Sequence, residues 1–320
     1  MSKVMKILLI TASGLVLLGG IVFVILMSAI GWDFKNLSTS NYEIKTYHIT
    51  EDFSSISINS DTDDITFYPA EGDTASVVYV DEKNLMYDVS VKDGTLLIDL
   101  IDTRKWYHYI NFGFNSKKID VYLPKTEYSA LKISEDTGDI DIPEDLKFDT
   151  VDIAMSTGDV SIAATVTDSI KISGSTGDVS IKDVSAGSLD IRVSTGDVSI
   201  SETEVSGDVN IKLSTGKTYL TSLTCENLTS DASTGDIRLK NVIAKGKFSI
   251  ERSTGDVDLD ASDAAEIFIL TDTGDVRGSL LSEKVFIIDT DTGRKDVPKT
   301  INGGRCEITT DTGDIIITIE

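Results

Sequence analysis

The chain has 320 residues, 40% apolar and 26% charged, enough for one large or two ordinary domains with a sizeable core. Its 29 Lys plus Arg stand against 53 Asp plus Glu, a formal charge of −24; so acidic a surface repels nucleic acid and anionic lipid headgroups, which need a basic footprint. Ile, Val, Thr, Ser, Asp and Gly dominate over Leu and Ala, with only 4 Pro, a composition of strands and turns.

Residues 1–6 carry Lys3 and Lys6, and the 26 residues from Ile7 to Trp32 carry no charge. As a helix they would span about 39 Å, enough to cross a hydrocarbon core of roughly 30 Å. A secretory signal has a shorter apolar stretch, about 7–15 residues, before a small-residue cleavage site, and Ser28-Ala29-Ile30 is a poor site. A signal-anchor in the cell membrane is expected, with a cleaved signal as the alternative. Lys3 and Lys6 precede the span, whereas Asp33 and Lys35 nearly cancel after it, so a single-pass topology with a cytoplasmic N-terminus follows and the rest is extracytoplasmic.

Residues 33–49 read as a linker, and 50–130 as divergent coils or a cap. Ile56-Ser57-Ile58, Tyr87-Asp88-Val89-Ser90-Val91 and Leu96-Leu97-Ile98 are short alternating strands of coils or hairpins. The stretch from Arg104 through Trp106, Tyr107, Tyr109, Phe112 and Phe114 is an aromatic exception in a chain that is 7% aromatic. It reads as a bulky cap sealing the first coils or as a partner- or glycan-binding patch, since aromatics with Arg are favoured at recognition sites.

Residues 131–320 are a regular repeat. Thr-Gly-Asp or a near copy recurs with its glycine at 138, 158, 177, 196, 216, 235, 255, 274, 293 and 313, a period of 19 or 20. Two and four residues after each glycine come mostly Ile, Val or Leu, as in Val179 and Ile181, with polar residues between. A second alternating strand follows, as in Leu189-Asp190-Ile191-Arg192-Val193. Side chains at period two share one face of a strand, and one coil cannot bury that face alone, whereas stacked coils form apolar columns. The expected fold is an all-β, single-chain β-solenoid (β-helix) of about 20-residue coils, behind one N-terminal transmembrane helix.

Stacking places the Asp of each turn above the next, with Lys217 and Arg294 interrupting the column. Two carboxylates about 5 Å apart in water repel by about 0.8 kcal/mol. The ridge reads as turn-capping Asp in solvent or as a calcium site, with Asp272, Asp275, Asp291, Asp311 and Asp314 at its most acidic end as candidate ligands. Cys225 and Cys306, about four coils apart, are too far from each other for a disulfide, and Cys306 falls at an inward position.

Ile119-Asp120-Val121-Tyr122-Leu123-Pro124, then Leu131-Lys132-Ile133, then Thr137-Gly138-Asp139-Ile140 resembles the bacterial "putative adhesin" family of domains of unknown function, to which LiaG-like cell-envelope proteins belong. The resemblance covers roughly residues 50–320. It implies a cell-surface β-solenoid, often linked to envelope-stress systems, and brings no catalytic residues.

The two histidines, His48 and His108, lie in the divergent part without metal-ligand spacing, and no nucleophile or phosphate-binding motif occurs. The expected role is a non-enzymatic, adhesin-like interaction or scaffold module of the envelope, taking an envelope protein or glycan as partner and no cofactor. The alternatives are a self-assembling solenoid polymer and, third, a polysaccharide-acting enzyme. The β-rich Asp314–Glu320, with no later coil in sequence, suggests self-association through the C-terminal edge.

Overall fold

The computed structural model of the chain describes residues 3–29, 31–32, 42–82, 84–104 and 117–320. Helix α1, Lys3–Ala29, is about 40 Å long at 1.5 Å per residue. None of its most apolar stretch is covered by the rest of the chain, so Leu8, Val16 and Leu17 present bare aliphatic surface. It is long and apolar enough to cross a membrane, a property that a signal sequence shares.

Everything from Tyr42 onward is strand and turn, wound into a β-solenoid. One regular coil holds a long strand, such as β8 (Glu127–Thr137), a glycine corner, and a short strand, such as β9 (Ile140–Ile142). Successive coils pair in parallel and in register: Ile133, Ile153, Ile172, Ile191 and Ile211 lie over one another. Each is 2% exposed or less, and burying an aliphatic side chain of that size is worth about 1.5–3 kcal/mol. The columns of successive coils merge into one continuous core from Ile49 to Ile317.

The chain does not stack in sequence order at either end. Strand β2 (Ser55–Asn59) lies between β6 (Thr95–Asp102) and β8, and β3 (Asp63–Pro69) lies between β7 (Lys117–Leu123) and β9. The first coil in sequence is therefore the second in space. Antiparallel strands close this end: β5 (Leu85–Lys92) covers β6, β4 (Ser76–Glu82) covers part of β7, and β1 (Tyr42–His48) covers β4. Strand β1 begins inside the stretch assigned to the linker.

At the other end, Gly304–Thr312 pairs with Asp263–Thr273 on one side and with Lys284–Thr292 on the other. Ile315–Ile319, the segment expected to be bare, is likewise flanked by Val276–Leu280 and by Lys295–Asp296. The expectation about the last strand is thus corrected: the open end is the coil of Lys284. A physical reason lies in the two coils. The last coil in sequence offers Cys306, Ile308, Ile315 and Ile317, all 2% exposed or less, and can be sandwiched. The coil before it has Lys295 where others have Ile or Val, followed by Pro298, which cannot donate to a ladder. The inversion sets Cys225 and Cys306 three rungs apart rather than four. Both are buried free thiols, and burial pushes each up to about 12.

Candidate functional site

The Thr-Gly-Asp corners are built by backbone proximity. A Cβ at Gly158 would stand 2.0 Å from the carbonyl oxygen of Gly138, and φ there is +136°, a region that favours glycine. The next residue builds a second ladder. The N–H of Asp159 donates to Asp139 Oδ1 at 2.8 Å, that of Asp178 to Asp159 at 2.8 Å, and that of Asp197 to Asp178 at 2.7 Å. Lys217 breaks the ladder as donor only: its N–H donates to Asp197 Oδ1 at 2.7 Å, and its ammonium lies 3.3 Å from Asp236 Oδ2. A hydrogen bond to a charged acceptor, about 1.5 kcal/mol, exceeds a repulsion of about 0.8 kcal/mol between stacked carboxylates. The acidic ridge is therefore part of what joins the coils.

The five aspartates at the acidic end follow the inverted coil order. Asp314 N–H donates to Asp275 Oδ1 at 2.6 Å, and Arg294 N–H donates to Asp314 Oδ1 at 2.9 Å. Arg277 faces the other oxygens, 2.5 Å from Asp275 Oδ2 and 3.8 Å from Asp314 Oδ2. Asp272, Asp311 and Asp291 precede the stacked threonines Thr273, Thr312 and Thr292 and are exposed. Among the described residues no group of three or more His, Cys, Asp or Glu is disposed to hold a metal ion.

In the aromatic stretch, Trp106, Tyr107, Tyr109, Phe112 and Phe114 lie outside the described residues, as does His108. Arg104 is described, and it is clamped. Its guanidinium bonds Asp102 through Nε at 3.0 Å and Nη2 at 2.9 Å, and Asp61 at 3.0 Å. These carboxylates raise its pKa further. Arg104 thus fastens the start of that stretch to the inserted first coil. Aromatic packing does occur in the opening coils, where Tyr128 stacks against Phe53 at 5.7 Å and against Phe148 at 5.8 Å. His48 is exposed on β1.

On the outward side of the long strands, a shallow groove of about 510 Å³ opens at the rod's middle. Its rim carries Arg192 and Lys212, which are adjacent rungs of one column, and its floor includes Gly174, Val193 and Leu213. Ser173, Ser194 and Ser214 add hydroxyls. Arg192 is held by Asp190 at 2.6 Å and Lys212 by Asp231 at 3.3 Å, so the groove is polar and nearly neutral in an acidic molecule.

Two buried polar clusters escape the sequence reading. Under the N-terminal hairpin, Asp63 and Glu135 are fully buried. Tyr87 donates to Asp63 Oδ2 at 2.6 Å, and Ser60 shares a 2.6 Å bond with Tyr87. Burial raises the pKa of Asp63 and carries Glu135 up to about 8. Deeper in the rod, Arg252 is 1% exposed. It donates to Ser230 Oγ at 2.8 Å, to the Ser230 carbonyl at 2.9 Å and to the Glu251 carbonyl at 2.7 Å. Desolvation lowers it to about 10. Room for it comes from Ser230 in the isoleucine column and from Ala232, its register partner. Thr218, where other coils have Ile or Val, adds a weaker contact at 3.4 Å. These departures in adjacent coils were the available sequence signal.

Comparison with known proteins places these features in a family. The chain resembles a "putative adhesin" of Bacteroides fragilis (15% identity, 86% of this chain and 97% of that chain, TM-score 0.43). It also resembles a "putative adhesin" of Parabacteroides distasonis (14%, 85% and 98%, TM-score 0.47) and a "putative lipid binding protein" of the same species (18%, 75% and 95%, TM-score 0.44). At these identities and scores nothing about function passes from them to this chain. No curated protein matches it. The family profile described as Toastrack DUF4097 matches twice, over residues 53–217 and 203–320, spanning most of the solenoid and both inverted ends; the chain belongs to the Toastrack DUF4097 family.

Proposed function

We propose that this chain is a non-enzymatic, adhesin-like interaction or scaffold module of the bacterial envelope. In this reading α1 anchors it in the cell membrane with its N-terminus in the cytoplasm, and the acidic rod stands outside, serving an envelope-stress system. The observation that carries the reading is how the repeated residues are used. Corner glycines and aspartates bond the next rung, so repetition builds a rigid support, while the long-strand face offers a polar groove with paired cations at its rim. Solenoids use such extended faces for binding. The buried carboxylates and Arg252 lie inside the core, away from the groove, which favours binding over catalysis.

The test is capture by the full chain in nanodiscs, using isolated cell-wall polysaccharide and solubilised envelope proteins as separate probes. The expected result is retention of one probe, weakened at least tenfold by Arg192→Ala with Lys212→Ala at unchanged melting temperature. Retention unaffected by the double variant would remove the groove from the account. No retention of either probe would overturn the interaction reading.

A further inference from the structure

The two ends of the rod are finished differently. At the N-terminal end the parallel stack gives way to antiparallel strands that carry charge, with Asp88 and Lys92 on β5 and Glu43 and Lys45 on β1, which is how exposed sheet edges are blunted. At the other end, strand Lys284–Thr292 has Gly304–Thr312 as its one strand partner among the described residues, leaving a second edge unpaired. Interior strands alternate apolar-in and polar-out. This one is apolar on both faces, with Phe286 and Ile288 half-buried inward and Val285 and Ile287 38% and 48% exposed outward. The loop beyond it reaches only its first residue, where Thr300 Oγ1 donates to the Lys284 carbonyl.

Charge sets this coil apart as well. Between residues 281 and 303, Glu283, Asp289, Asp291 and Asp296 are matched by Lys284, Arg294, Lys295 and Lys299, in a chain whose formal charge is −24. Lys284 is itself buried and paired with Asp263 at 2.5 Å.

We propose that this tip docks against the same tip of a second copy, the two Lys284–Thr292 strands running antiparallel across a two-fold axis. The occupant follows from charge and symmetry. Acidic surfaces keep copies of this chain apart, and the balanced coil is where that repulsion is absent. A two-fold normal to the sheet makes an edge strand antiparallel to its own copy. With the axis at Ile287, Phe286 lies opposite Ile288 on the inner face, so the apolar column of one rod continues into the next. The interface closes at two copies, because the charged antiparallel end cannot repeat it. This inference stands apart from the interaction-module reading and replaces an open polymer with a dimer.

The experiment is sedimentation equilibrium of the full chain in detergent micelles, together with oxidative cross-linking of single variants Ile287→Cys and Ile44→Cys; the native thiols are buried. The expected result is a concentration-dependent dimer, halved in mass by Ile287→Lys at unchanged melting temperature, and a covalent dimer from Ile287→Cys alone. A wild-type monomer at all concentrations would overturn the proposal. So would a mass unchanged by Ile287→Lys, or mixed Ile287→Cys and Ile44→Cys chains linking tip to base. None of these outcomes bears on capture of envelope components.

Discussion

From Val151 to Leu213 the inward positions of the long strands hold only apolar residues and one glycine, each stacked on its counterpart. The column that runs through Met155, Gly174, Val193 and Leu213 begins instead at Glu135, and it continues through Ala232 to Arg252, Thr271, Thr310 and Thr290. In the middle, one chemistry repeats, and stacking alone satisfies every side chain. Towards the ends, charges and hydroxyls enter the same column and each needs its own arrangement. Thr310, for instance, donates to the Gly274 carbonyl at 3.1 Å and Thr290 to that of Gly313 at 3.0 Å. Periodic stacking gives the rod its length, and departures from it mark where the rod stops.

The contrast is broken most severely at a corner glycine. A Cβ at Gly196 would stand 2.0 Å from the Gly177 carbonyl oxygen. Gly196→Ala is expected to cost more than about 4 kcal/mol in urea unfolding, or to prevent folding. Gly174→Ala, whose Cβ would meet Met155 and Val193 at 3.6 and 3.9 Å, is expected to be neutral or stabilising by up to about 1 kcal/mol. Equal effects of the two would remove the corner argument.

The N-terminal cluster is expected to show itself through pH. Glu135 is 2% exposed, and burial raises it from an ordinary 4.5 to about 8. The folded chain therefore holds a proton that the unfolded chain has released, and stability falls as pH rises from about 4.5 towards 8, by an amount on the order of a few kcal/mol. Asp63, raised in the same way by burial, adds to the slope in the same direction. Glu135→Gln is expected to flatten this part of the stability profile; a profile unchanged by the substitution would contradict the assignment.

Arg252 sharpens the comparison from the opposite side. Its Nε has no hydrogen-bond partner, and a buried charge replaced by well-packed apolar groups is often neutral or stabilising by about 1–4 kcal/mol. Ser230→Ile with Arg252→Leu restores the apolar columns and is expected to raise the unfolding midpoint, whereas Arg252→Ala alone should lower it. The smallest effect belongs to the acidic ridge. Asp178→Ala loses the acceptor of the Asp197 N–H, about 1 kcal/mol, while Asp178→Asn keeps an acceptor and relieves repulsion, with an effect that fades as salt rises.

The period, the inward columns and the glycine corners were legible because each is fixed by local spacing that recurs. The aspartate ladder was legible only as a stack of charges, since the sequence shows the carboxylates and not the backbone N–H groups that they accept from. Coil order at the ends was illegible for a different reason. Parallel pairing in register does not depend on which coil comes first, so the preference of the Ile315–Ile319 coil for an interior place is decided by long-range burial. Arg252 carried a weak signal in Thr218, Ser230 and Ala232, each smaller than its neighbours in the column, and Glu135 carried none beyond its inward parity.

The most direct test of in-register stacking with an inverted end is a pair of electron spin–spin distances in the full chain, from exposed Ser175 to Asp311 and from Ser175 to Asp291. At about 4.8 Å per rung, the account predicts about 29 Å to position 311 and about 34 Å to position 291. The opposite order would contradict the inversion, and distances that fit no whole number of rungs would contradict the solenoid itself.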